Sequence, residues 1–321
     1  MLGADPGQST AANYLRFARS EVRGKSPLYE RLCERVAGDR EMLDFLARQP
    51  LDKRQPNLLL AAVRVRFGVQ SDYARFRAAV LDHPEEIAAL LRSHRTQTNE
   101  PWRCAALLPV LCALPQPLAL LEVGAAAGLC LLPDRYGYDY GAGRIGSDEV
   151  VFPCSPHGPV PIPGEVPQVV WRAGIDLEPV DLDDPEAVGW LEALVWPEES
   201  DRLERLRTAI AIARRDPPAV LRADLLEALP ELASEAPAEA TLVVFHTAVL
   251  AYLSPDQRNR FRDQVAFTAA VWISNESRNV FGEMPVPATA PVGRSHFVIA
   301  RNGQPLAFCD PHGRWLQWLK D

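Results

Sequence analysis

Apolar positions between residues 10 and 114 recur at the spacing of one helix face, which predicts a run of amphipathic helices. Their starts are marked. Ser26-Pro27 places an N-cap and a first-turn proline before LYERLCERVAG. Gln55-Pro56 opens NLLLAAVRVRFG, which Gly68 closes. Ser71-Asp72 opens YARFRAAVL, and His83-Pro84 opens EEIAALLRS. A polar stretch, HRTQTNE, then separates these from the apolar PWRCAALLPVLCAL, for which Thr98 is a candidate cap.

After Pro115 the pattern changes. Short apolar runs alternate with helical patterns: LALLEV, VVWRAGIDL, AVLRADLL, TLVVFHTA, AAVWISNE and SHFVIARNG. Strands alternating with helices predict an α/β fold with a mostly parallel sheet. Asn302-Gly303 predicts a tight C-terminal antiparallel hairpin. Six prolines between Pro153 and Pro167 exclude a central strand or helix there, so residues 141–168 are expected to form an extended insertion with one edge hairpin. The expected organisation is a helical N-terminal cap over residues 1–115 and an α/β domain over 116–321.

Composition narrows the function. The 321 residues are 47% hydrophobic and 24% charged, as in a soluble globular protein. A net charge of -8 argues against a broad nucleic-acid-binding face. No apolar run approaches the roughly 20 residues that span a bilayer, and the first twenty residues lack a signal-peptide pattern. The six cysteines form neither a C-x-x-C pair nor a zinc-ligand spacing. These features predict a reduced cytoplasmic protein with no metal site, no membrane partner and no nucleic-acid partner.

The candidate chemistry centres on LLEVGAAAGL. An apolar strand ends in Glu122 and runs into Gly124 and Gly128, which are expected to open a helix. Small residues there let a ligand approach the backbone, and a helix N-terminus offers unpaired N–H groups. The G-x-G-x-x-G of a dinucleotide site is missing; Ala126 stands at the middle glycine. The pattern resembles motif I of Rossmann-like S-adenosylmethionine-dependent methyltransferases. That resemblance implies a three-layer sandwich and a cofactor loop built from Glu122, Gly124, Ala126 and Gly128. It makes Asp176, closing GIDLEPVDL, the ribose acid, with Asp139 in DRYGYDYG as the alternative. It also makes Asp224 and Leu225 the adenine residues. Asp176 and Asp224 can also be read as helix caps.

TLVVFHTAVLAYL brings Phe245 and His246 to the carboxyl edge of the sheet, where ligands of open α/β sheets bind. Phe245 is a candidate cofactor contact. His246 and Glu276 are candidate proton acceptors, and Tyr252 is a further one. His94, Arg95, Gln97, Asn99 and Arg103 form a polar cluster suited to a substrate edge, with Arg95 or Arg103 able to hold a carboxylate. Tyr136 is a candidate wall of the site. Over nearly its whole length the chain resembles an uncharacterised bacterial family, domain of unknown function 2332, through RTQTNE, LLEVGAAAGLCLLPDRYGYDYG, GIDLEPVD, ALVWPEE and VVFHTAVLAYL. The expected activity is methyl transfer from S-adenosylmethionine to an O- or N-nucleophile of a small molecule. Two alternatives stay open: a binding module that transfers no methyl group, and a nicotinamide-dependent oxidoreductase, which the missing glycine motif disfavours.

Overall fold

The computed structural model describes residues 6–280 and 296–319. The chain divides into two compact units, residues 1–98 with 184–204 and residues 99–183 with 205–321.

The first unit is helical. It contains α1 (Pro6–Phe17), α2 (Pro27–Ala37), α3 (Arg40–Ala47), α4 (Pro56–Phe67), α5 (Tyr73–Leu81) and α6 (Pro84–Ser93). The caps lie where the sequence put them. Ser26 accepts from the Tyr29 N–H at 3.2 Å, and Asp72 accepts from that of Arg75 at 3.0 Å. Gly68 ends α4 with a φ of 74°, in the left-handed region that favours glycine. The third helix, which the proline punctuation does not announce, is capped by Asp39.

α7 (Arg103–Cys112) belongs to the second unit, although the cap was expected to extend to residue 115. The reason is contact: Tyr140 donates to the Ala105 carbonyl at 2.6 Å, and the Cys104 thiol faces the Cys130 carbonyl at 3.6 Å. Thr98 does not cap this helix, which starts after Trp102 without a side-chain cap. Conversely, α8 (Pro185–Ala193) belongs to the first unit, because Trp190, Leu194 and Trp196 join the apolar core formed by Tyr14, Phe45 and Leu59.

The second unit carries the strands β1 (Leu118–Val123), β2 (Gly137–Asp139), β3 (Arg144–Gly146), β4 (Val151–Pro153), β5 (Ser155–His157) and β6 (Val169–Asp176). Helix α9 (Ser200–Arg215), most of which lies in this unit, leads to β7 (Ala219–Arg222). Then come α10 (Leu225–Ser234), β8 (Thr241–Thr247), α11 (Pro255–Phe267), β9 (Val271–Ser277), β10 (Phe297–Arg301), β11 (Gln304–Cys309) and β12 (Trp315–Trp318). Nine strands form one sheet in the order β5-β12-β11-β10-β9-β8-β1-β6-β7, and the run from β9 to β7 is parallel throughout. The C-terminal hairpin turns at Asn302-Gly303, whose φ values of 49° and 79° are those of a type I′ turn.

The proline-rich stretch does avoid central strands. It is more than an extended insertion with a hairpin, however: β3 and β4 join β2 in a separate three-stranded sheet, β3 antiparallel and β4 parallel, and β5 forms the outer edge of the large one. All six residues of β1 are buried. Leu121 and Val123 join Ile175, Val244, Leu229 and Phe261 in one core under α10 and α11. Side chains alternate along a strand, so Glu122 points to the opposite face of the sheet.

The helix expected to start at Gly128 is a single 3₁₀ turn, Leu129–Leu131, with Gly128 in the left-handed region. A turn this short has no useful axial dipole, so the positive end expected behind the glycine loop is not built.

Candidate functional site

The five parallel strands run in the spatial order β7-β6-β1-β8-β9. From β1 the chain proceeds to β6 and β7 on one side, and then to β8 and β9 on the other. The carboxyl ends of β1 and β8 therefore flank the point where the winding reverses, which is where open α/β sheets bind ligands. Two short loops meet there.

The first follows β1. Gly124 and Ala125 donate their N–H groups to the Ile175 carbonyl at 2.7 and 3.1 Å. Ala126 donates to the Asp176 carboxylate at 2.8 Å, and Gly128 donates to the Ala125 carbonyl at 2.7 Å. Asn99 clamps the loop across its length: its amide donates to the Ala125 carbonyl at 3.1 Å and accepts from the Leu129 N–H at 2.7 Å. The N–H groups that were to face a ligand are thus largely committed within the chain. Packing is equally close. A Cβ on Gly124 would lie 2.9 Å from Val249 Cγ1 and closer still to Cγ2, and one on Gly128 would lie 2.5 Å from Pro218 Cγ. Both glycines have a φ of 71°, and Ala126 itself sits at 51°.

Glu122 closes β1 on the face away from α11. It is 1% exposed, and its Oε2 has no hydrogen-bond partner. Burial pushes its carboxyl well above the usual range, with Cys130 and Asp176 adding to the rise and Arg103 opposing it. Asp176 ends β6, as its sequence implied. Its two oxygens accept from Ala126 and, at 2.8 Å, from the Glu178 N–H.

The second loop follows β8. Ala248 has a φ of 60° and donates to the Asn275 carbonyl at 3.0 Å. Val249 and Leu250 donate to one oxygen of Glu276, Oε1, at 2.8 and 2.9 Å. His246 Nδ1 lies 2.7 Å from the same oxygen. The Trp272 indole donates to His246 Nε2 at 3.0 Å. Since Nε2 accepts, the ring proton belongs on Nδ1, which donates to Glu276. Arg258 completes the support by donating to the Leu250 carbonyl at 2.7 Å.

His246 and Glu276 were expected at the edge as proton acceptors. Both are 0% exposed, and His246 packs on Phe261 under α11, on the face opposite Glu122. Phe245 is 1% exposed in the core, and Tyr252 projects from the second loop at 78% exposure. Asp224 caps α10 by accepting from the Leu226 N–H at 2.8 Å, and Leu225 packs half-buried on the core below. Arg103 directs donors at the Pro311 carbonyl and at Thr247, both at its carbonyl and its hydroxyl. Tyr136 is fully buried and donates to the Leu129 carbonyl at 2.8 Å. Asp139 lies in the small sheet, where it accepts from the Gly141 N–H.

His94, Arg95 and Gln97 belong to the helical unit. His94 stacks on Trp190 with centroids 4.0 Å apart, and burial lowers its pKa, aided by Lys53. Trp190 donates to the Arg95 carbonyl at 2.9 Å. Gln97 is half-buried. The sequence reading did not single out Val249, Arg258 or Trp272. Their roles come from partners 8 to 125 positions away, and one arginine among three in a helix or one tryptophan in a strand carries no such signal.

All six cysteines are free. Among the described residues, no group of three or more His, Cys, Asp or Glu side chains is arranged to hold a metal ion, and no helix is long and apolar enough to cross a membrane. A family model described as an uncharacterized protein conserved in bacteria (DUF2332) matches residues 11–318, and the chain belongs to that family. No curated protein and no solved structure matches it.

Proposed function

We propose that the second unit is a Rossmann-like domain that binds S-adenosylmethionine at the β1/β8 switch point and transfers its methyl group to an O- or N-nucleophile of a small molecule. One observation carries this reading. At the two adjoining strand ends, two alanines are held in the left-handed region beside buried acids, and unusual backbone of this kind concentrates at functional sites. The parallel order β7-β6-β1-β8-β9 supports it, being the order of doubly wound nucleotide-binding sheets.

The residues present are compatible with the cofactor. Glu122 offers a buried oxygen without a partner, and Asp176 places a carboxylate, the group suited to a diol, at the end of the neighbouring strand. Asp139 is the weaker ribose candidate, because it lies outside the large sheet. Asp224 would serve the adenine end and Leu225 would pack there. When bound, the cofactor supplies an electrophilic methyl group; the chain supplies alignment. Glu122 would hold a polar group from below the loop, while Tyr252 would meet the acceptor from the exposed rim. The reading keeps the protein in the cytoplasm, with a small-molecule partner.

A second reading, a binding module without methyl transfer, is favoured by one fact: both ring nitrogens of His246 are already engaged. Melting the purified protein with S-adenosylmethionine, its demethylated product or NAD tests these readings. A ligand at 100 times its Kd stabilises by about 2.7 kcal/mol. Absence of any shift with both sulfur compounds would overturn the proposal. A shift without methyl transfer to any acceptor tried would leave the binding module, and a shift with NAD alone would favour the oxidoreductase.

A further inference from the structure

The interlock between the two loops has a consequence for how the site opens. Val249 sits over Gly124 so closely that no side chain fits at that glycine, and both residues lie at partial exposure on the rim. The position of Val249 is set from behind. Glu276 gathers three donors on one oxygen, two of them the backbone N–H groups of Val249 and Leu250. His246 is locked in the matching tautomer by Trp272. The second Glu276 oxygen is buried without a partner, an expensive arrangement if the side chain were only filling space.

We propose that Glu276, set by His246, is a positioning residue that fixes the turn 248–252, so that Val249 closes over Gly124 and a ligand reaches the β1 loop only when that turn shifts. The inference rests on reading the switch point as the ligand site. Neither His246 nor Glu276 touches the reacting atoms; they act through the turn. Release requires no chemistry, only displacement of Val249 and of the two N–H contacts to Glu276.

Amide hydrogen exchange on the full chain tests the positioning without any ligand. His246→Ala should speed exchange at Val249 and Leu250 by about tenfold, while the amides of β1 and β6 keep their rates. His246→Asn, whose amide can replace the Nδ1 donor, should restore slow exchange. Glu276→Gln keeps an acceptor oxygen and should fall between them. Uniform acceleration across the sheet, or unchanged exchange at Val249 and Leu250 in His246→Ala, overturns the proposal.

Val249→Ala should bind S-adenosylhomocysteine more tightly than wild type, by about threefold or more, because less has to be displaced. Equal affinity overturns the gating role of Val249. If neither protein binds that compound, the cofactor reading fails. The gate is then judged with Gly124→Ala, which should lower the melting temperature of wild type more than that of Val249→Ala. An equal drop in both overturns the contact.

Discussion

The loops after β1 and after β8 are built from the same parts in different ways. Each places an alanine in the left-handed region at the carboxyl end of a central strand, and each leans on an acid from a neighbouring strand. The β1 loop is tied from two sides, by Asp176 and Asn99, and its residues from Ala125 to Ala127 are 0–3% exposed. The β8 loop is held by the Asn275 carbonyl, one oxygen of Glu276 and one arginine, and it carries Tyr252 out to 78% exposure. The first loop is a floor and the second, on the proposal above, a movable wall. Sequence pattern points to the floor, since glycines mark it; the wall is made of Ala248, Val249 and Leu250, which carry no such mark.

Several substitutions break or sharpen this contrast. The largest effect is expected from Gly124→Ala, which combines a φ of 71° with a collision at Val249. It should cost about 3 kcal/mol in denaturant unfolding. A cost below about 1 kcal/mol would mean that the wall already moves freely.

Asp176→Ala removes the acceptor for two N–H groups, one of them in the buried floor. It should cost about 2 kcal/mol and abolish any thermal shift with S-adenosylmethionine, whereas Asp139→Ala should keep that shift. Retention of the shift in Asp176→Ala would remove Asp176 from the ribose role.

Ala126→Gly and Ala248→Gly should each stabilise by about 1 kcal/mol, by relieving left-handed strain. An equal gain at the two sites would show that both loops hold their alanine under the same strain. A gain at Ala126 alone would mark the β8 loop as already relaxed.

Glu122→Gln should show its effect only in the pH profile. The folded carboxyl is raised above its unfolded value, so its contribution is complete at pH below about 4.5 and is lost as pH rises toward the folded value. The variant should therefore match wild type at pH below about 4.5 and exceed it increasingly as pH rises above that value. Parallel profiles would place the charge elsewhere.

Local signals determined much of this protein. Caps at Ser26 and Asp72, the left-handed Gly68 and the Asn302-Gly303 turn need only neighbouring residues, so the helices and the C-terminal hairpin were legible in the chain. The apolar runs likewise gave the strands, and Asp176 its place at the end of one. Tertiary structure decided the rest. Whether α7 belonged with the helices before it or the sheet after it depended on Tyr140 and Cys130. Whether Gly128 began a helix depended on a chain that turned instead into a small sheet. The parity of a strand put Glu122 and His246 on opposite faces, and a tryptophan 26 positions away fixed the histidine's tautomer. A sequence specifies which groups are present and how the adjacent backbone bends; which partner satisfies a buried polar group is settled only when distant segments pack together.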